Sequence, residues 1–215
     1  MSTTPYVIAI SGYSGTGKST VIGYLLSLIG DAVALRIDDY AEDAIYPPTI
    51  EWIKNGADPD EFITPQFTEN IRLLKGGKPA ICPKDKTNIR PSGYILIEEP
   101  FGMSRTAMKP WIDFHVQMEI PPEIALARRV LRNIERLEKD PDGEGLKDFL
   151  DWYLNAGQQF FLLAYELAAR EKDLTVDGTL PPETTAQTIF NAVLAKQNGQ
   201  DDNSFHENNH SSDIR

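Results

Sequence analysis

Short apolar runs alternate with helical periodicities along most of this chain. Residues 6–10 form an unbroken apolar run ending at Ser11 and Gly12, the pattern of a strand buried on both faces. From 18 to 29 the apolar positions Val21, Ile22, Leu25, Leu26, Leu28 and Ile29 recur at helical spacing, and Gly30 can end the last turn. Residues 32–37, 94–97, 114–120 and 174–176 read as four further strands. Helices are predicted over 67–75, 122–138, 145–170 and 182–196, the second and the last opening on a proline. Strands alternating with helices predict a three-layer α/β fold, with a five-stranded, mostly parallel sheet and helices on both faces. Residues 41–67 break the alternation: they are rich in Pro, Asp and aromatics, hold a short helix over 49–54, and read as an insertion over the sheet's edge.

Residues 197–215 are polar and aperiodic and are expected to be a disordered tail, leaving a single domain over 1–196. His206 and His210 in that tail have no predicted framework that would make them a metal pair.

The net charge of −11 argues against a general nucleic-acid binder, because phosphate backbones are held by clustered Lys and Arg. A bound phosphate must instead meet a local positive site within a negative field. The single cysteine, Cys82, cannot form an intrachain disulfide. No apolar run is long enough for a membrane span, and the N-terminus lacks the pattern of a secretory signal, so a cytoplasmic protein is expected.

The local positive site is easy to find. Gly12-Tyr13-Ser14-Gly15-Thr16-Gly17-Lys18-Ser19-Thr20 matches G-x-x-x-x-G-K-[ST] at every required position, after a predicted strand and at the start of a predicted helix. Glycines let backbone N–H groups turn inward onto phosphate oxygens, and the helix presents free donors and its positive dipole end to the same anion. Lys18 can reach the β- and γ-phosphates of ATP, and the Ser19 hydroxyl can ligate Mg²⁺.

Ligands of open α/β sheets bind beyond the carboxyl ends of the strands. Asp38-Asp39 and Glu98-Glu99 follow two of the predicted strands and fall at that edge. Asp38 is the candidate for orienting an acceptor hydroxyl or serving Mg²⁺, and Glu98 for the metal side. Asp39 and Glu99 are weaker candidates. Arg128, Arg132 and Arg136 share one face of the 122–138 helix, beside Arg129, an arrangement suited to closing over phosphates as a lid spanning 122–140.

With these elements in order, the chain resembles the uridine kinase branch of the P-loop kinases, which includes phosphoribulokinase and bacterial pantothenate kinase. The resemblance rests on 10–20, Asp38-Asp39-Tyr40, 58–62, Gly77-Lys78-Pro79, Ile97-Glu98, the 125–133 stretch and 177–182, and so spans nearly everything before 197. It implies ATP and Mg²⁺ as cofactors and a small-molecule acceptor, with Asp38 near the acceptor hydroxyl, Glu98 on the magnesium side, and Arg128 and Arg132 as lid contacts. It also implies that 177–182 lies near the adenine. The family's nucleoside-binding segment is missing from 83–90, Ala57 falls where the family often has an acid for the ribose, and the Arg-Gly after the lid is replaced by 136–139. Lys84, Lys86 and Arg90 form a basic cluster that fits either an acidic acceptor or a solvated hairpin, and Tyr46, Trp52 and Phe62 fit either ring stacking or packing.

The expectation is phosphotransfer from ATP to a small-molecule hydroxyl, with a nucleoside first among acceptors and a pantothenate-, sugar- or nucleotide-sugar-like metabolite as the alternative. A GTP-dependent switch is disfavoured, because no Asn-Lys-x-Asp segment is present and the D-x-x-G match at 142–145 lies between helices. A regulatory ATP-binding module is the remaining class. Homo-oligomerisation is left open by the sequence.

Overall fold

A computed structural model describes residues 4–139 and 145–207, without the side chains of 136–139 and 200–207. Its central sheet has five strands, β1 (Tyr6–Ser11), β2 (Ala32–Arg36), β5 (Tyr94–Glu98), β6 (Phe114–Glu119) and β7 (Leu174–Asp177). Their order is β2-β5-β1-β6-β7, and every neighbouring pair is parallel. A two-stranded antiparallel ribbon, β3 (Ala80–Ile81) and β4 (Asn88–Ile89), stands apart from it. This is the three-layer α/β fold expected from the alternation of elements, with the sheet wholly parallel.

Successive residues of a strand point to opposite faces, and β1 uses both. Ile8 and Ile10 pack with Ile22 and Leu25 of α1 (Lys18–Ile29) and with Ile189 and Val193 of α7 (Pro182–Glu207). Val7 and Ala9 pack on the other face with Phe67, Ile71 and Leu74 of α3 (Pro65–Lys75). Burying each large aliphatic contributes about 1.5–3 kcal/mol, which explains why β1 reads as an unbroken apolar run. A third core lies over the carboxyl edge, where Trp52 of α2 (Thr49–Lys54), Phe101, and Ala164 and Leu167 of α6 (Gln158–Ala169) meet. The central position of β1 sets the turn that follows it between the ends of β5 and β6.

Two predicted elements differ in detail. The helix expected over 145–170 is present as one continuous helical stretch, α5 (Leu146–Trp152) running into α6 through a π-helical turn at Tyr153–Gly157. Gly157 lets the Trp152 ring lie against the backbone, for a Cβ there would stand 2.5 Å from the indole. The final helix does not stop at 196 but runs to Glu207, so the tail expected to be disordered over 197–215 is helical in its first part. Polar, aperiodic sequence removes a reason to pack but not a reason to coil, and from 183 to 207 there is no proline and one glycine. His210 and the rest of 208–215 lie outside the described residues, as do 140–144, which hold most of the D-x-x-G match and the end of the expected lid. The helix expected to act as a lid is α4 (Pro122–Lys139).

Candidate active site

The loop between β1 and α1 takes its shape from glycine. Gly12 has φ +141°, and a Cβ there would stand 2.7 Å from the Met118 carbonyl oxygen. Gly15 has φ +99°, and its Cβ would stand 2.5 Å from the Ala125 carbonyl oxygen in the first part of α4. The loop is thereby wedged between the end of β6 and α4, closer than any side chain would permit. Gly17 leads into α1 with no side-chain cap on the helix, so the first N–H groups remain available to an anion. Lys18 Nζ donates to the carbonyl oxygens of Gly12 (2.9 Å) and Tyr13 (3.0 Å), which holds the ammonium over the loop. Desolvation presses the Lys18 pKa below the ordinary lysine value, while Glu98 and Asp38 pull in the opposite direction.

Each acidic pair splits. Glu98, the last residue of β5, accepts a 2.6 Å hydrogen bond from the Ser19 hydroxyl. Glu99 points the other way, fully buried, and pairs with the buried Arg105. Asp38 is exposed and lines the same cavity as Glu98. Asp39 is bound to Lys84 at 2.7 Å. The structure thus brings Lys18, Ser19, Asp38 and Glu98 together and leaves Asp39 and Glu99 out.

That cavity measures about 710 Å³, and Arg128, Arg129 and Arg132 of α4 line it opposite the loop. Arg128 also donates to the carbonyl oxygens of Gly178 (3.2 Å) and Thr16 (3.5 Å), joining the lid helix to the loop and to the segment after β7. Arg129 has no separate role in the sequence expectation, yet its guanidinium lies 4.7 Å from the Phe149 ring centre and 4.9 Å from that of Phe161. Its i,i+3 spacing to Arg132 was the available signal. The Arg136 side chain is outside the described part. A second cavity, of about 450 Å³, shares Gly15, Gly17, Thr20 and Arg128 with the first and extends to Gly178, Thr179 and Thr185. Thr16 borders it with a buried hydroxyl that has no hydrogen-bond partner among the described residues.

The remaining wall of the larger cavity is aromatic, with Tyr46 and Phe62 from the insertion and Trp152, Phe160 and Phe161 from the continuous α5–α6 helical stretch. Trp52 is not part of it. It is fully buried, packs on Phe62 and donates to the Asp58 carbonyl oxygen at 2.7 Å. Tyr13 of the loop stacks on Tyr165 of α6, the rings 4.7 Å apart and 2° from parallel. Lys84, Lys86 and Arg90 do not line the cavity, and Lys84 and Lys86 face Asp39 and Glu42. Ala57 is buried in the third core with φ +57°.

No family model matches the chain. A uridine kinase of Borrelia garinii is 26% identical over 181 residues, covering 79% of this chain and 85% of that protein. A uridine kinase of Leuconostoc citreum is 26% identical over 169 residues, covering 72% and 78%. Among solved structures, a protein described as a fructose transport system kinase, from Silicibacter sp. TM1040, superposes with a TM-score of 0.53 at 19% identity, covering 81% of this chain and 91% of that one. Over most of its length this chain is similar in sequence to uridine kinases, and its fold is that of the P-loop kinases.

Proposed function

We propose that this protein transfers the γ-phosphate of ATP to a hydroxyl of a small-molecule acceptor, with a nucleoside as the first candidate. The observation that carries the reading is the meeting of Lys18, the Ser19–Glu98 pair, Asp38 and three lid arginines around one cavity. ATP fits the loop on chemical grounds, since inward N–H groups and an ammonium match the phosphates, and the orphaned Thr16 hydroxyl offers a polar partner on the neighbouring side. Ser19, Glu98 and Asp38 supply hard oxygen donors of the kind Mg²⁺ takes, the ion keeping its other ligands from phosphates and water. Mg²⁺, when bound, neutralises phosphate charge.

Within this reading Lys18 steadies the β- and γ-phosphates. Arg128 and Arg132 meet the charge that spreads over the transferring group as α4 closes. Asp38 accepts a hydrogen bond from the acceptor hydroxyl and orients its oxygen toward the phosphorus, and proton transfer to that carboxylate accompanies attack. The transition state is loose, so positioning outweighs basicity. Residues 41–67 supply the acceptor side.

A non-nucleoside acceptor is the second reading, favoured by a specific observation. Ala57 offers no group to a ribose, and it is buried in the third core and does not itself line the cavity. One experiment separates these readings from a regulatory module: ADP release from Mg-ATP with uridine, cytidine, pantothenate, simple sugars and a nucleotide sugar. The proposal expects one class to raise release at least ~100-fold above hydrolysis by water, the scale of a positioned phosphotransfer site. Mg-ATP binding without any acceptor-dependent release would favour the module.

A further inference from the structure

Arg105 attracts no notice in the sequence, yet its side chain is 2% exposed and all three of its guanidinium nitrogens donate hydrogen bonds. Nε donates to Glu99 Oε1 at 3.1 Å, and Nη2 donates to Glu99 Oε2. Nη1 donates to the Phe62 carbonyl oxygen at 2.8 Å and to the Thr64 hydroxyl at 2.9 Å. Beside it, the Thr106 N–H (2.7 Å) and hydroxyl (2.9 Å) bond the Asp60 carboxylate. Two chain segments distant in sequence are thereby fastened together. One is the end of β5, where Glu99 follows Glu98. The other is the part of the insertion that carries Phe62 into the larger cavity.

We propose that the Glu99–Arg105 pair is a positioning clamp that fixes the acceptor-side wall relative to the strand bearing Glu98. Two charges are costly to bury, and an apolar pair of similar volume would stabilise a core as well or better. What an apolar pair cannot do is hold a carbonyl and a hydroxyl of a loop in fixed register with a strand. The geometry of the guanidinium supplies that, because one planar group donates along two edges at once. Alternation along the chain completes the device: Glu98 turns to Ser19 while Glu99 turns to Arg105, so the second carboxylate is kept off the phosphate side. The clamp acts through the wall and touches no substrate, so its loss should misplace the acceptor and leave the nucleotide held.

The proposal rests on the acceptor lying against residues 41–67, and Arg105→Lys tests it. That variant keeps the charge balance with Glu99 but gives up the planar fork to Phe62 and Thr64. With uridine as the acceptor probe, the expected result is a KM for uridine raised at least ~10-fold, with the KM for Mg-ATP and the melting temperature close to wild type, as for a misplaced substrate contact. A lysine that restores the wild-type KM for uridine would overturn the clamp and leave a merely structural ion pair. If the wild-type chain does not phosphorylate uridine, the nucleoside reading fails separately, and hydrogen exchange decides the clamp. Amides of 58–64 exchanging at least ~10-fold faster in Arg105→Lys, with β1 and β5 unchanged, support it, and unchanged amides at 58–64 overturn it.

Discussion

The nucleotide side and the acceptor side of the larger cavity are built by different physics. On the nucleotide side, backbone does the shaping: Gly12 and Gly15 sit where a Cβ would collide with neighbouring carbonyl oxygens, and Lys18 is held by two carbonyls of its own loop. On the acceptor side, side chains do it: Trp52 packs edge-on against Phe62, Phe101 and Phe160 pack at tilted angles beside them, and a buried guanidinium ties the loop down. Backbone shaping of this kind tolerates almost no substitution, whereas an aromatic wall can be rebuilt from other large residues. On the proposed function, phosphate recognition is therefore fixed on one side while acceptor choice remains adjustable on the other.

The largest effects should follow from removing charge beside the phosphates. Lys18→Ala and Asp38→Asn should each lower turnover at least ~100-fold, since positioned charge carries most of such catalysis. Steady-state ADP release measures both, and near-normal turnover in Asp38→Asn would remove that residue from its proposed role. Gly15→Ala should follow. Its φ of +99° and its 2.5 Å approach to the Ala125 carbonyl oxygen leave no room for a methyl group, so the loop must shift off α4. Mg-ATP affinity should fall by about 10-fold or more, the scale of one or more kcal/mol of backbone strain.

The first of these sites was legible in sequence because its physics is local. A glycine pattern, a lysine and a serine at fixed spacing suffice, and the strand before and helix after were readable from periodicity. Asp38 and Glu98 could be placed from the rule that strand carboxyl ends meet the ligand. Their neighbours could not be excluded, because which member of an adjacent pair faces the cavity depends on the strand's last dihedrals. Arg105 was invisible: its partners, Phe62, Thr64 and Glu99, are brought to it by tertiary structure. The π-helical turn between α5 and α6 was hidden for a related reason, since the apolar pattern continues through it and Gly157 alone hints at it.

A smaller effect concerns pH and the floor beneath both halves. His115 of β6 is buried, with Nδ1 2.6 Å from the Glu171 carbonyl oxygen and Nε2 2.7 Å from the Ser11 hydroxyl. Burial lowers its pKa below the ordinary 6.5, against the opposing pull of Glu171 and Asp173. The unfolded chain then takes up a proton that the folded ring refuses, so this contribution to stability is full above pH 6.5 and is lost as pH falls below it. Melting temperature should drop on acidification from pH ~7 to ~5, and the slope should be shallower in His115→Gln, even if that variant is less stable at neutral pH. An equal slope in both proteins would discharge His115 from the effect.

The smallest effect is expected where a basic cluster suggested a site and the structure places none. Lys84 is 67% exposed and pairs with Asp39 outside the cavity. Lys84→Ala should change the KM of any acceptor less than ~2-fold and stability by less than ~1 kcal/mol, as for other surface pairs. A tenfold rise in the KM of an anionic acceptor would instead move the acceptor site toward the β3–β4 ribbon.

The central claim is that the loop between β1 and α1 holds a nucleotide's phosphates through Lys18 and its backbone. Calorimetric titration of Mg-ATP into the wild-type chain and into Lys18→Ala tests it most directly. The account predicts one site per chain in the wild type, weakened at least ~10-fold in the variant, as expected for losing a charge-assisted contact. No heat of binding in the wild type, or equal affinity in both proteins, would contradict it.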